Sequence, residues 1–115
     1  MDLFDAWIPP PQLCFERSSR EGGVVVLALA GEVDMTTGDV FRQTLLAVLA
    51  EPGVRRVLLD VGELRFMDSN GVGVLVKAQR TAEERDICFG LVNVRGPVRG
   101  VLEMLGVYDM LAARA

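Results

Sequence analysis

Between Leu13 and Gly106 short, near-continuous apolar runs alternate along the chain with stretches in which apolar residues recur every three to four positions. Leu13-Cys14-Phe15-Glu16 reads as a short strand. Ser18 to Gly23 supplies turn residues, and Val24-Val25-Val26-Leu27-Ala28-Leu29-Ala30 reads as the second strand of an antiparallel hairpin. Gly31-Glu32-Val33-Asp34-Met35-Thr36-Thr37 is expected to break that strand. Thr36 or Thr37 then caps a helix with Val40, Phe41, Leu45, Val48 and Leu49 at helical spacing, and Pro52-Gly53 ends it. Val57-Leu58-Leu59-Asp60-Val61 is a near-continuous apolar strand, of the kind covered on both faces. After strand-like Phe66-Met67 and the polar turn Asp68-Ser69-Asn70 comes a helix from Val72 to about Glu84, apolar nearly all round at first and wet beyond Lys77. Ile87 to Asn93 forms another strand. Gly96-Pro97 opens a last helix with Val98, Val101, Leu102 and Leu105 on one side, and Gly106 stops it.

Strands joined through helices prefer to lie parallel with right-handed crossovers. The order therefore predicts an α/β fold, with a mixed, mostly parallel sheet of about four or five strands, an antiparallel first strand and flanking helices. The length of 115 residues suits one domain, and 50% hydrophobic with 24% charged residues are globular proportions. Residues 1–12 hold Pro9-Pro10-Pro11 and the sole tryptophan, Trp7, and read as an extended, proline-rich lead-in, a tail lying partly ordered on the body, with Trp7 capping the core or touching a partner as the competing reading; residues 13–115 are the domain. Cys14 and Cys88 each stand between two large apolar residues and are expected at buried strand positions.

Charge and inventory exclude several functions. The formal net charge is -4 and no basic run appears, which argues against nucleic acid as a partner. The longest apolar run, Val24 to Ala30, falls far short of the roughly 20 residues that a membrane-spanning helix needs, so no membrane association is expected. The acidic start Met1-Asp2-Leu3-Phe4-Asp5 is not a secretory leader, and cytoplasmic residence follows as the expectation. The chain contains no histidine, which removes the commonest general base and every histidine-containing zinc site. A catalytic Ser69 would depend on Asp68 or Lys77, and Asp68 is better explained as a turn or cap residue, so the chain is read as a non-enzyme. Gly71-Val72-Gly73 completes neither nucleotide-binding signature, and no cofactor or metal is expected; Gly71 and Gly73 are read as allowing helix and sheet to approach closely.

What remains is Ser69 as the substrate of another enzyme, with a plain helix cap as the competing reading. A helix N-terminus has unpaired N–H groups and partial positive charge, so it can hold a phosphate placed there. The turn follows a strand, where sites on open α/β sheets gather, and Asp34 lies at the same end if the sheet is parallel there. Met67 and Val72 bracket Asp68-Ser69-Asn70 and are expected to give a partner apolar edges to grip.

Three segments carry a family resemblance: Gly31-Glu32-Val33-Asp34; Asp60-Val61 leading to Phe66-Met67-Asp68-Ser69-Asn70-Gly71-Val72-Gly73-Val74-Leu75; and Val98-Arg99-Gly100-Val101-Leu102-Glu103-Met104-Leu105-Gly106-Val107. Together, from about Leu13 to Ala112, the chain resembles a STAS domain of the anti-sigma factor antagonist type. The resemblance implies a bacterial partner-switching protein of stress response or sporulation. It binds an anti-sigma factor that is itself an ATP-using serine kinase, and so frees a sigma factor for transcription. It further implies that the kinase phosphorylates Ser69, that this breaks the complex, and that a serine phosphatase resets it. Asp34 and Asp68 match acidic positions near that serine, and Met67, Asp68, Asn70, Gly71 and Val72 fall in the partner-binding motif. Asn70 stands where many members carry serine or threonine, so phosphorylation is expected on Ser69 alone. The chain ends soon after the last motif, which predicts a final helix that is short or missing. A scaffold or ligand-sensing subunit of the same fold, with no sigma factor involved, is the alternative, and pairing into a homodimer is left open.

Overall fold

The computed structural model describes residues 12–113. Strands β1 (Leu13–Arg20), β2 (Val24–Val33), β3 (Arg56–Met67) and β4 (Cys88–Val92) form one sheet in that order. Helix α1 (Gly38–Leu49) joins β2 to β3, α2 (Ser69–Glu84) joins β3 to β4, and α3 (Gly96–Met104) and the four-residue α4 (Tyr108–Leu111) close the described chain. The final helix is short, as expected.

β1 and β2 pair antiparallel through the turn at Gly22 and Gly23, whereas β2–β3 and β3–β4 are parallel. This is the predicted α/β arrangement with four strands. β2 does not break at Gly31 but runs on to Val33, because Gly31, Glu32 and Val33 still find partners in Leu64, Phe66 and Met67 of β3. Gly31 adopts φ +112°, and an ideal Cβ there would lie 2.1 Å from the Gln12 carbonyl oxygen. Only glycine lets the chain entering β1 press this closely on β2.

Burial alternates strictly along β2 and through the first half of β3. Val25, Leu27, Leu29 and Val33 of β2 and Val57, Leu59 and Val61 of β3 face one core, which also takes Phe41 and Leu45 of α1, Leu75 and Ala78 of α2, Val98 and Leu102 of α3 and Leu111 of α4. The helices of the described chain thus bury their apolar stripes against one face of the sheet. The expectation that Val57 to Val61 is covered on both faces is therefore corrected: Leu58 and Asp60 point to the other face and are only half-buried.

The same period of two corrects the cysteines. Cys14 and Cys88 are exposed free thiols. Large apolar neighbours on a strand mark the opposite face, so Ile87 and Phe89 are buried and Cys88, between them, points away. Val40 is likewise exposed, on the wet side of α1, while Phe41, Leu45, Val48 and Leu49 are buried.

Candidate functional site

The site is built where β2 and β3 end side by side. Val33 and Met67 are paired in parallel register, so Asp34 and Asp68 each follow a paired position on strands about 4.8 Å apart. The Asp68 amide also donates to the Val33 carbonyl oxygen at 3.0 Å. The two acidic turns lie at the same end of the sheet, as a parallel pairing requires.

Asp68 is the N-cap of α2. Its backbone is extended (φ -85°, ψ 175°) and its Oδ1 accepts the Gly71 amide at 2.8 Å. This takes up one of the orphan donors of the first turn. Ser69 is therefore the first residue inside the helix, not its cap. Its side chain is exposed, and among the described residues its hydroxyl has no hydrogen-bond partner. Helical Cα–Cβ bonds tilt toward the N-terminus, so the hydroxyl is directed past the end of the helix. Loss of the cap in Asp68→Ala is expected to cost about 1 kcal/mol of stability, read from the midpoint of urea unfolding.

The platform beneath Ser69 is packed. Gly71, Val72, Leu75, Ala78 and Ala82 of α2 are buried. A Cβ on Gly71 would come within 2.8 Å of both Met67 Cγ and Val33 Cγ1, so the first turn of the helix rests directly on the ends of β2 and β3. Gly73 has no such role: it is exposed, and a Cβ built there would meet open space. Gly73→Ala is expected to stabilise by about 0.5–1 kcal/mol through helix propensity, while Gly71→Ala destabilises. Thermal unfolding of the pair reads the opposite signs.

Asp34 is held by its own loop. Its Oδ1 accepts from the Thr36 amide at 2.9 Å, the Thr36 hydroxyl at 2.7 Å and the Thr37 amide at 3.2 Å. Thr37 is the N-cap of α1, but its hydroxyl turns back to donate to the Glu32 carbonyl at 2.9 Å and accept the Asp34 amide at 3.0 Å. The Thr36 hydroxyl, then the Thr36 amide, hold the Asp34 carboxyl below its ordinary range, against a smaller opposing effect of desolvation. A carboxyl whose pKa is lower in the folded state adds stability above its unfolded value, and that stability is lost as pH falls through the folded value. An NMR titration of Asp34 is expected to show a midpoint below that of the unfolded chain.

Asp34, Asp68, Ser69 and Asn70 thus meet solvent at one end of the sheet. Met67 and Val72 do not: they are 2% and 3% exposed, and Gly71 is buried as well. The expectation that Met67 and Val72 present apolar edges is corrected, because both side chains point into the core that holds the helix down. The apolar surface at this end belongs to Met35, 89% exposed in the β2–α1 loop, and Phe66, 44% exposed opposite Glu32. Alternation carries the signal for Phe66: if Met67 faces inward, its strand neighbour faces out. A cleft of about 520 Å³, lined by Arg56, Gln79, Glu83, Cys88 and Met110 among others, lies at the opposite end of the sheet, where β3 and β4 begin. No cluster of metal-ligating side chains occurs among the described residues.

A mixed four-stranded sheet with helices on one face, carrying an exposed serine on the first turn of a helix that follows a strand, defines a small α/β domain. The chain belongs to the STAS-domain family: residues 16–112 match the family described as "Mlab, STAS domain". It is 27% identical over 89 residues to the anti-sigma F factor antagonist of Paenibacillus polymyxa, covering 77% of this chain and 76% of the relative. Among solved structures it resembles SpoIIAA, an anti-sigma factor antagonist, in its unphosphorylated form (24% identity, 89% of each chain, TM-score 0.74). It also resembles Bacillus SpoIIAA in its phosphorylated form (24% identity, 89% and 91% of the chains, TM-score 0.68). At these identities the structures speak for the fold.

Proposed function

We propose that this chain is an anti-sigma factor antagonist. Its unphosphorylated form binds an anti-sigma factor that is a serine kinase, and transfer of phosphate from the kinase's ATP to Ser69 abolishes binding until a serine phosphatase removes it. The observation that carries this reading is the Ser69 hydroxyl: exposed, without a partner among the described residues, and mounted on a packed helix start. The names of the relatives support it, as does the existence of one structural neighbour in both phosphorylation states.

The partner-binding surface is formed by Asp34, Asp68, Ser69 and Asn70 with Met35 and Phe66 as its apolar edge, while Met67, Gly71 and Val72 support it from below. The domain, residues 13–115, works in the cytoplasm as a binding module and not as a catalyst. Asp68 Oδ1 accepts the Gly71 amide and Asp34 Oδ1 accepts from Thr36, and among the described residues neither carboxylate is hydrogen-bonded to the Ser69 hydroxyl.

The charge argument selects the kind of switch. Phosphate at the first helical residue gains about 0.3–1 kcal/mol from the helix terminus, so the free domain stays folded. In a complex the same group, carrying about -1.5 to -2 charges, is desolvated beside Asp34 and Asp68, which is costly. Incubating the purified chain with candidate serine kinases and Mg-ATP, mapping the phosphate by mass spectrometry and comparing complex formation before and after tests the reading. Phosphate on Ser69 with loss of the complex is the expected result. Tight binding that ignores ATP assigns the chain instead to a scaffold role.

A further inference from the structure

β1 is the outer strand of the sheet, with β2 on one side and no described strand on the other. Its eight residues pair with β2 in unbroken register and include no proline. Such an edge is regular enough to accept a further strand. Which groups it offers follows from one hydrogen bond: the Gln12 carbonyl accepts the amide of Glu32 at 2.8 Å, the residue opposite it when the β1–β2 register is continued by one. Backbone groups alternate sides along a strand, so Cys14, Glu16, Ser18 and Arg20 also turn theirs to β2, and Leu13, Phe15, Arg17 and Ser19 turn theirs outward. Among the described residues nothing bonds to those outward groups.

Side chains decide which strand fits. Charges on an edge strand ordinarily keep like edges apart. On β1 the Arg17 guanidinium is taken up by Glu51 just past the end of α1, and among the described residues Glu16 and Arg20 have no ion-pair partner. Both are exposed on the sheet face away from the helices, they are opposite in sign, and they flank Ser18 symmetrically. We propose that this edge pairs with the same edge of a second copy of the chain, antiparallel about a two-fold axis through Ser18. Glu16 of each copy then stands opposite Arg20 of the other, and Arg17 opposite Ser19. In that register Arg17 and Ser19 exchange backbone hydrogen bonds, while Ser18 with its own copy and Glu16 with Arg20 form non-hydrogen-bonded pairs, whose Cα atoms approach to about 4.5 Å and whose side chains interact most closely. Two ion pairs form and no like charges meet. The neighbouring registers are poorer: centring on Arg17 sets Arg17 against itself, centring on Glu16 sets Glu16 against itself, and centring on Phe15 sets Glu16 against Cys14. Ser18 and Arg20 lie toward the end of the sheet where β2 begins, away from the end that carries Asp34 and Ser69, so the pairing leaves both copies of that surface open.

The mass of the full chain, read by sedimentation equilibrium, is expected to rise from one copy toward two as concentration passes from micromolar to millimolar, because the interface is small. Glu16→Arg and Arg20→Glu, each checked for folding by circular dichroism, set like charges opposite one another twice. Each alone is expected to weaken the pairing by about tenfold or more. Together in one chain they are expected to restore it, since the ion pairs are then reversed and not lost. The register has its own readout: with Cys14 and Cys88 replaced by serine, Ser18→Cys is expected to form an intermolecular disulfide on mild oxidation, and Glu21→Cys, equally exposed in the turn, is not. A chain that stays monomeric at millimolar concentration overturns the proposal. So does a dimer that neither single reversal disturbs or that the double variant fails to restore, which puts the contact elsewhere, and so does cross-linking no faster at Ser18→Cys than at Glu21→Cys. Ser69 takes no part in these measurements, so their outcome is separate from that of the phosphorylation reading.

Discussion

Ser69→Glu is expected to lower affinity for the cognate kinase more than a hundredfold, while Ser69→Ala binds as the native chain does and is no longer released by ATP. The reasoning needs only the geometry of one side chain. Because the hydroxyl is exposed and unpartnered among the described residues, removing it breaks nothing in the fold, and Ser69→Ala should unfold within about 0.5 kcal/mol of the native chain. A carboxylate at the same place lies next to Asp68, whose own carboxylate already holds the Gly71 amide. In the free protein water screens that crowding. In a complex it does not, and a net penalty of only about 3 kcal/mol corresponds to a loss of more than a hundredfold in affinity. Isothermal titration with the kinase, with and without Mg-ATP, reads both effects. Equal binding by the native, alanine and glutamate forms would remove the switch from Ser69. Equal stability of all three, with only the glutamate form failing to bind, places the effect at the interface and not in the fold.

Gly31→Val is expected to be the most damaging single change to the fold, at about 3 kcal/mol or more. Two costs coincide there. The backbone at φ +112° is strained for any residue with a Cβ, at about 1–3 kcal/mol. The Cβ would also meet the Gln12 carbonyl oxygen at 2.1 Å, and a backbone carbonyl does not swing aside as a flexible side-chain end would. Relief requires the chain before β1 to lift off β2, which gives up the hydrogen bond from the Glu32 amide to that carbonyl. The Gln12 side chain lies against Thr36, whose amide and hydroxyl hold Asp34, so the acidic turn beside Ser69 is expected to loosen as well. Chemical denaturation measures the stability loss. An unfolding midpoint within experimental error of the native value would show that the chain before β1 does not press on Gly31 in solution.

Much of the site was legible in sequence because its cues are local. Asp68 two residues after Phe66, with Gly71 three residues further on, marks a strand end, a cap and a helix start, and each of those is a short-range hydrogen-bonding choice of the backbone. Gly96-Pro97 and Gly106 bracket α3 for the same reason. The parallel pairing of β2 with β3 also followed from the helix between them, since a crossover leaves little alternative. Misreadings arose where two residues adjacent in sequence had to be sorted onto opposite faces. Met67 and Phe66, Cys88 and Phe89, Val40 and Phe41 are apolar neighbours of which only one is buried, and composition cannot say which. Gly71 and Gly73 show the same limit in a helix: two residues apart they point in different directions, and only Gly71 meets the sheet.

By itself the sequence determined the element order, the hairpin, the parallel crossovers, the capped turn and the serine inside it, since periodicity, turn chemistry and chirality act over a few residues at a time. Tertiary structure alone decided which sheet face receives the helices, that β2 runs on past Gly31 to pair its end with Phe66 and Met67, and that Met35 and Phe66 instead of Met67 and Val72 are exposed at the end of the sheet where the Ser69 turn lies. The physical reason is that a strand has two chemically similar sides. Which of them is buried depends on where distant helices dock, and that is settled only when the whole core is assembled.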